Sequence, residues 1–396
     1  MQNNRNSLIK KLNSTDYQIL EKILKNSRIS RTDLSCQMEL TPAAISKVIK
    51  KLINGNLIIE KNILSSTGGR PRTSLKINKD YKKIIGINLG VGFIRIAISN
   101  LAGEILGIEE RKFSFKTQEK VLRLLDEELE HILGKYERKD IIAIGLATHG
   151  LVDKEKGTVI LSPHFKWKNL EIRKSLEKKY GLPVVVENDV RAMLIAEHYY
   201  GCARNMKNFM LLYIRRGVGA AIFLNGKIFE GSNCGAGEIG HFIVKENSNI
   251  QCRCGKYGCL ETEYSEQAIM DKVSWLMEEK ENKRVNLTIE TVYDMAKKRQ
   301  EPYYSIIKET SLEIGKVVGN ILNILDLNDI VVSGNITDTG NLFSSYFKKG
   351  IDRMLLEDFS KKINIKFSEL GDQIGIYGAI SLIIDNLFIG EKLLRF

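Results

Sequence analysis

Apolar residues recur at helical spacing near the start of the chain. In residues 16–27, DYQILEKILKNS, they are Ile19, Leu20, Ile23 and Leu24, which predicts a helix with one buried face. Ser30 is placed to cap a short second helix, RTDLSCQME, with Asp33 at its third position. Leu40 falls in a turn, and Thr41-Pro42 supplies a cap and a proline at the first helical position, where no N–H is needed. The helix TPAAISKVIKKLING then buries Ile45, Val48, Ile49 and Leu52, exposes Ala43, Ala44, Ser46, Lys47, Lys50 and Lys51, and ends at Gly55. Two β-rich runs, 57–60 and 74–78, flank a polar loop whose tip runs from Ser65 to Arg72. Two short helices joined by a tight turn and followed by a β-hairpin make a winged helix-turn-helix, expected over residues 1–80.

From residue 84 the pattern changes. IIGINLGVGFIRIAISNLAGEIL reads as strand, Gly-rich turn, strand, turn, strand, and FMLLYIRRGVGAAIFLNGKIFEG echoes it in the second half. Gly90-Val91-Gly92 and Gly217-Val218-Gly219 each separate two apolar strands, with a second glycine turn at Gly103 and Gly226. The echo is weak, yet it predicts two similar α/β lobes, at 81–200 (with a C-terminal helix of about 380–396 added to it) and at 201–380. Helices are expected at 118–134 and 189–200, near 265–278, 288–298 and 305–325, and at the end near 375–390, with strands at 140–147, 184–186 and 329–332.

Charge separates head from body. The first 83 residues hold 17 Lys and Arg against 6 Asp and Glu, a net +11 out of +12 for all 396 residues. A basic head on a neutral body points to a polyanionic partner. The outer face of the third helix offers Thr41, Pro42, Ala43, Ala44 and Ser46 for close approach to base edges, and Lys47 and Lys50 for phosphates. In GGRPR, residues 68–72, glycine and proline keep the backbone slim while Arg70 and Arg72 project, which suits the narrow minor groove of A·T-rich duplex. Double-stranded DNA is therefore the expected partner. The polar, basic N-terminus lacks a signal-peptide pattern and no apolar run is long enough to span a bilayer, so a cytoplasmic protein without a membrane partner is expected.

In that compartment clustered cysteines read as metal or redox chemistry rather than disulfides. CRCGKYGCLE places Cys252, Cys254 and Cys259 together, and His241 lies eleven residues upstream. Three thiolates and an imidazole are a soft, tetrahedral set suited to structural zinc. A redox reading wants a C-x-x-C pair, which is absent, and an iron–sulfur cluster usually wants four thiolates. Cys36, Cys202 and Cys234 have no partners at metal spacing and read as small buried hydrophobes, while His131 and His198 read as ordinary helix residues. Near the metal set stand further polar groups: Glu238, three before His241 and on its face of a helical turn, Glu261 two after Cys259, and Glu187-Asn188-Asp189 at the end of the apolar strand VVV. Such a set of acceptors and donors suits the hydroxyls of a sugar.

On GGRPR, ENDVRA, GAGEIGH and CRCGKYGCLE, in this order and spacing, the chain resembles the ROK family (repressors, open reading frames and kinases), in its winged-helix xylose and N-acetylglucosamine repressor branch. The resemblance spans nearly the whole chain. It implies a two-lobed, actin-like (ribonuclease H-like) sugar-kinase-type body with a zinc held by His241, Cys252, Cys254 and Cys259. It also implies sugar binding by Asn188, Asp189, Glu238, His241 and Glu261, with Asp189 as the catalytic base if the protein were a kinase. His149 stands where the family more often has proline.

The phosphate side departs from the kinases of the family, which open with an Asp-x-Gly-Gly-Thr turn. Here NLGVGF puts Asn88 in place of the aspartate and Val91 and Phe93 in place of small or hydroxyl residues, and Arg215 and Arg216 precede the second turn. The expectation is a non-enzymatic, sugar-responsive repressor of carbohydrate uptake or catabolism genes, with a free sugar between the lobes of a degenerate kinase body. It would act as a homodimer or tetramer on a palindromic operator. The alternative is an ATP-dependent sugar kinase.

Overall fold

Each helix of the head begins where a polar side chain replaces the missing intrahelical partner. The computed structural model describes residues 12–26, 28–63, 72–114, 117–281, 287–356 and 362–389. Within them α1 (Ser14–Lys25) and α2 (Arg31–Met38) both open with reciprocal capping boxes, Asn13 with Asp16 and Ser30 with Asp33. In α3 (Pro42–Asn54) Thr41 accepts from the Ala44 N–H at 3.3 Å. The hairpin β1 (Ile58–Ile63) and β2 (Arg72–Ile77) follows, in register from Ile58 opposite Ile77 to Ile63 opposite Arg72. Ile19, Leu20, Ile23, Leu34, Ile45, Ile49, Leu52 and Leu75 form a buried core, and the Leu75 N–H donates to the Ile29 carbonyl at 2.9 Å. Three expectations need correction here. Leu24 and Val48 are only half-buried. Lys51 is not exposed but half-buried against Asp16, a carboxylate 1% exposed that needs a cation beside it.

The described residues up to Tyr200, with those from Gln373, make one compact unit, and Gly201–Asp372 make a second. In the first unit the main sheet runs β10-β6-β3-β4-β5: β3 (Lys83–Gly90), β4 (Phe93–Asn100), β5 (Ile105–Lys112), β6 (Ile141–Thr148) and β10 (Val184–Asn188). A small sheet of β7 (Leu151–Asp153), β8 (Thr158–Ser162) and β9 (Trp167–Leu170) adjoins it in sequence. Its helices are α4 (Gln118–Leu133), α5 (Ile172–Tyr180), α6 (Asp189–Tyr199) and, from the far end of the chain, α12 (Ile374–Ile389). β6 and β10 are parallel with Thr148 opposite Asn188, so their carboxyl ends lie side by side. α12 lies on β3 and β6 through glycines: a Cβ on Gly145 would collide with the Ala379 carbonyl oxygen, and one on Gly378 would sit 2.8 Å from the Ala192 backbone of α6.

The second unit repeats the plan. Its sheet runs β15-β14-β11-β12-β13, built from β11 (Phe209–Ile214), β12 (Val218–Leu224), β13 (Lys227–Ile228), β14 (Asp329–Ser333) and β15 (Asn364–Phe367). In both sheets an antiparallel glycine-turn hairpin takes a parallel strand on its first member, so the weak echo in the sequence is a shared topology. The helices are α7 (Leu260–Tyr264), α8 (Glu266–Glu281), α9 (Ile289–Lys297), α10 (Tyr303–Leu325) and α11 (Asn341–Asp352). Among the described residues no helix is long and apolar enough to cross a membrane.

Glu266 opens α8 at 7% exposure and accepts from the Tyr293 hydroxyl at 3.3 Å. Burial pushes its carboxyl up to about 7, against the pull of the Arg215 charge. Between the ordinary value of 4.5 and about 7 the unfolded chain has lost this proton while the folded chain keeps it, so stability falls as pH rises through that window and is flat above it. The loss is on the order of 3 kcal/mol. Glu266→Gln has no such proton to lose. Urea unfolding at a series of pH values is expected to show the wild-type midpoint dropping across this window relative to the variant, with parallel curves above it.

Candidate functional site

The metal-ligating residues meet because two short bridges fold the loop back on itself. Ile243 pairs with Cys259 and Gln251 with Tyr257, while the Val244 N–H donates to the Gly258 carbonyl at 2.9 Å. Gly258 has a positive φ of 69° and lies so close to the Lys245 carbonyl that no side chain fits. His241, Cys252, Cys254 and Cys259 thereby place their ligand atoms all within 4.8 Å of one another. His241 Nδ1 is 3.4 Å from Cys252 Sγ, and Cys254 Sγ is 3.6 Å from Cys259 Sγ. Ligands about 2.3 Å from a shared tetrahedral centre stand about 3.7 Å apart, so the cluster fits a metal ion. Burial pushes the Cys259 thiol up to about 12 and raises that of Cys252, whereas for Cys254 the upward push of burial is overcome by the Lys256 backbone N–H, the neighbouring thiols Cys252 and Cys259 and the Lys256 charge acting together, which draw it down. Three thiolates this close ionise together only around a cation. Of the other cysteines, Cys36 is exposed and Cys202 and Cys234 are half-buried, so they are not the buried hydrophobes expected.

With Nδ1 turned to the sulfurs, His241 presents Nε2 toward the Glu238 carboxylate, 3.7 Å away. Glu238 precedes and His241 closes the turn Ile239–His241, which presses onto β12: a Cβ on Gly237 would collide with the Ala220 carbonyl oxygen, and one on Gly240 with that of Val218. Glu261, in the first turn of α7, lays its carboxylate over Gly217 at the hairpin turn. Glu238, His241 and Glu261 are thus gathered around one metal loop and one glycine hairpin of the second unit. Glu263, 1% exposed, ties that loop down by accepting from Ser248 Oγ at 2.5 Å; it was not singled out from the sequence, because its partner lies fifteen residues back.

In the first unit Asn188 caps α6, accepting from the Arg191 N–H at 3.1 Å, and donates to the Gly150 carbonyl at 3.0 Å. Asp189 is the first residue of α6, at the positive end of its dipole. His149, half-buried, lies beside this turn, 3.5 Å from Ser162 Oγ, with its ring 6.2 Å from that of His164.

The glycine turns are filled. The Phe93 ring occupies the place toward which a Cβ of residue 90 would point, and the Arg95 guanidinium stacks on it at 5.6 Å. Asn88, 4% exposed, packs its amide against Gly375 at the start of α12. In the second unit Arg215 donates to Asn335 Oδ1 at 2.9 Å and pairs with Asp372 at 2.9 Å, while Arg216 is exposed.

On the head, Thr41, Pro42, Ala43, Lys47 and Lys50 are exposed and Ala44 and Ser46 half-exposed, along one side of α3. Arg72 opens β2, and Arg70 lies outside the described residues.

Residues 84–386 match the ROK family, and residues 12–59 match winged helix-turn-helix DNA-binding domains. The chain is 30% identical to the xylose repressor of Caldicellulosiruptor bescii, over 96% of this chain and 97% of that one. It is 31% identical to the N-acetylglucosamine repressor of Escherichia coli O157:H7, over 95% and 93% of the two chains. The crystal structure of a ROK family transcriptional regulator, a homologue of the E. coli MLC protein, matches at a TM-score of 0.82 and 30% identity, covering 98% of both chains. A ROK family glucokinase from Streptomyces griseus, solved with glucose and AMPPNP, shares the body fold at a TM-score of 0.68 and 22% identity, over 76% of this chain and 98% of that one. With its body matched end to end and a DNA-binding head before it, the chain belongs to the ROK family and to the winged-helix members of that family.

Proposed function

We propose that this protein is a sugar-responsive DNA-binding transcriptional repressor of carbohydrate uptake or catabolism genes, working without phosphoryl transfer. The observation that carries the reading is the contrast, within each unit, between the residues that suit a sugar and those at the glycine turn. The chain keeps Asn188 and Asp189 in the first unit and Glu238, His241 and Glu261 in the second. At the turns, Phe93 roofs that of the first unit, and Arg215 is engaged with Asn335 and Asp372 beside that of the second. Phosphoryl transfer needs open turns that cradle phosphate and an acid that organises Mg²⁺, and Asn88 carries no charge for that work. The relatives named for xylose and for N-acetylglucosamine make a free or N-acetylated monosaccharide the first effectors to examine.

In this reading α3 enters the major groove of a palindromic, A·T-rich operator, with Thr41, Pro42, Ala43, Ala44 and Ser46 toward base edges, Lys47 and Lys50 toward phosphates, and Arg70 and Arg72 toward the minor groove. Two heads of a homodimer or tetramer meet the two half-sites. The metal is a structural zinc on His241, Cys252, Cys254 and Cys259. Its contribution is to fix the imidazole so that Nε2 faces the sugar, a positioning role. The protein acts in the cytoplasm, where its DNA is.

Three measurements test this. A duplex selected by the wild-type chain from a randomised library is titrated with and without xylose, glucose, N-acetylglucosamine and their phosphates. At least one sugar is expected to change operator affinity by about 10-fold, and Glu238→Ala to remove that change. The sensor reading fails if no sugar changes affinity and Glu238→Ala leaves regulation intact. In a coupled ADP-release assay across the same sugars, turnover is expected to stay at background; substantial turnover would restore the kinase. Elemental analysis is expected to find one zinc per chain, and Cys252→Ala to lose it and weaken sugar binding by about 10- to 100-fold in calorimetry.

A further inference from the structure

Helix α1 belongs to the head, yet one side of it packs on the body of the first unit, against α12 and the end of α6. Lys25 lies 2.7 Å from the Glu21 carboxylate one turn back and 2.6 Å from Nε2 of His198. Glu21 is itself 3.8 Å from that ring nitrogen, too far for a hydrogen bond, so the ammonium, donating to both, is the link. The same ammonium stands 5.3 Å from the centre of the Tyr199 ring. The cluster is sheltered, with Lys25 18% and His198 13% exposed.

His198 and Tyr199 end the helix that begins with Asn188 and Asp189. Over its 11 residues α6 is roughly 16 Å long. It has little freedom to bend or slide on its neighbours. At its first turn Arg191 pairs with the fully buried Glu187 at 3.5 Å. In its middle the backbone meets α12 at Gly378, and at its end the Tyr199 hydroxyl donates to Asp385 of α12 at 2.9 Å. A push or pull at Asp189 is therefore delivered to His198 rather than absorbed on the way.

We propose that Lys25, seated between Glu21 and His198, is the coupling contact through which α6 reports the occupancy of Asn188 and Asp189 to the DNA-binding head. Lys25, Glu21 and His198 are positioning residues that touch neither sugar nor base edges. The inference rests on the sugar-binding reading of Asn188 and Asp189.

The test uses the full-length chain, the library-selected duplex, and whichever panel sugar raises the wild-type melting temperature most. Lys25→Met and His198→Ala are expected to bind that sugar with wild-type affinity while the ratio of operator affinities without and with sugar falls to 1. His198→Gln, which keeps an acceptor for the ammonium, is expected to restore the ratio. Using a ratio removes any general effect on DNA binding, and the double variant is expected to behave as either single one. If His198→Ala does not fold, Lys25→Met and His198→Gln decide. Sugar binding with an unchanged ratio in Lys25→Met would overturn the coupling and leave the sugar site standing. No sugar response in the wild type, or one that survives Asp189→Asn, would remove the sugar site, and the coupling with it.

Discussion

Helix α12 can lie on its sheet only because residue 145 has no side chain. The Ala379 carbonyl occupies the space a Cβ would need, and Gly378 brings the same helix against the backbone of α6. Backbones this close leave no soft layer between sheet and helices, so β3, β6, α6 and α12 form one stiff body. The rest of the first unit is arranged around it. The cap of α6 sits at one end, α1 of the head at the other, and Asn88 is clamped where α12 begins.

The two units share a sheet order, and each has closed its glycine turn by a different device. In the first an apolar ring stands over Gly90 with a guanidinium stacked on it. In the second a guanidinium is held by an amide and a carboxylate, and the Glu261 carboxylate lies over Gly217. In both units the hairpin stays in regular antiparallel register beneath these side chains. A shared fold leaves function to the side chains laid on it, here those that cover the two turns.

What could be read from the sequence was mostly local. Ser30 with Asp33, and Thr41 with Pro42, announce helix starts because cap and recipient lie within three residues. The Cys252–Cys259 set was legible for the same reason, its ligands being joined by tight glycine turns. The three short strands β7–β9 were not, since runs of three to five residues carry little periodicity; the helices α5 and α11 were overlooked although Ile172, Leu176 and Tyr180 in the one and Phe343, Phe347 and Ile351 in the other recur at helical spacing. Lys51 was misread as exposed and His198 as an ordinary helix residue. Their partners, Asp16 and Lys25, lie 35 and 173 positions away, and no window of spacing reaches that far.

The position of α12 also sets an order of events when the chain is made. Its docking sites on β3 and β6 emerge from the ribosome some hundreds of residues before the helix itself, whereas the metal loop closes over a span of 19 residues. The head and the metal loop complete themselves from nearby chain. The first sheet must hold an apolar face uncovered until translation has almost ended. The seat of α1 on α12 is consequently the last joint to close, so a truncated product could carry a folded reading head with no sensor joined to it.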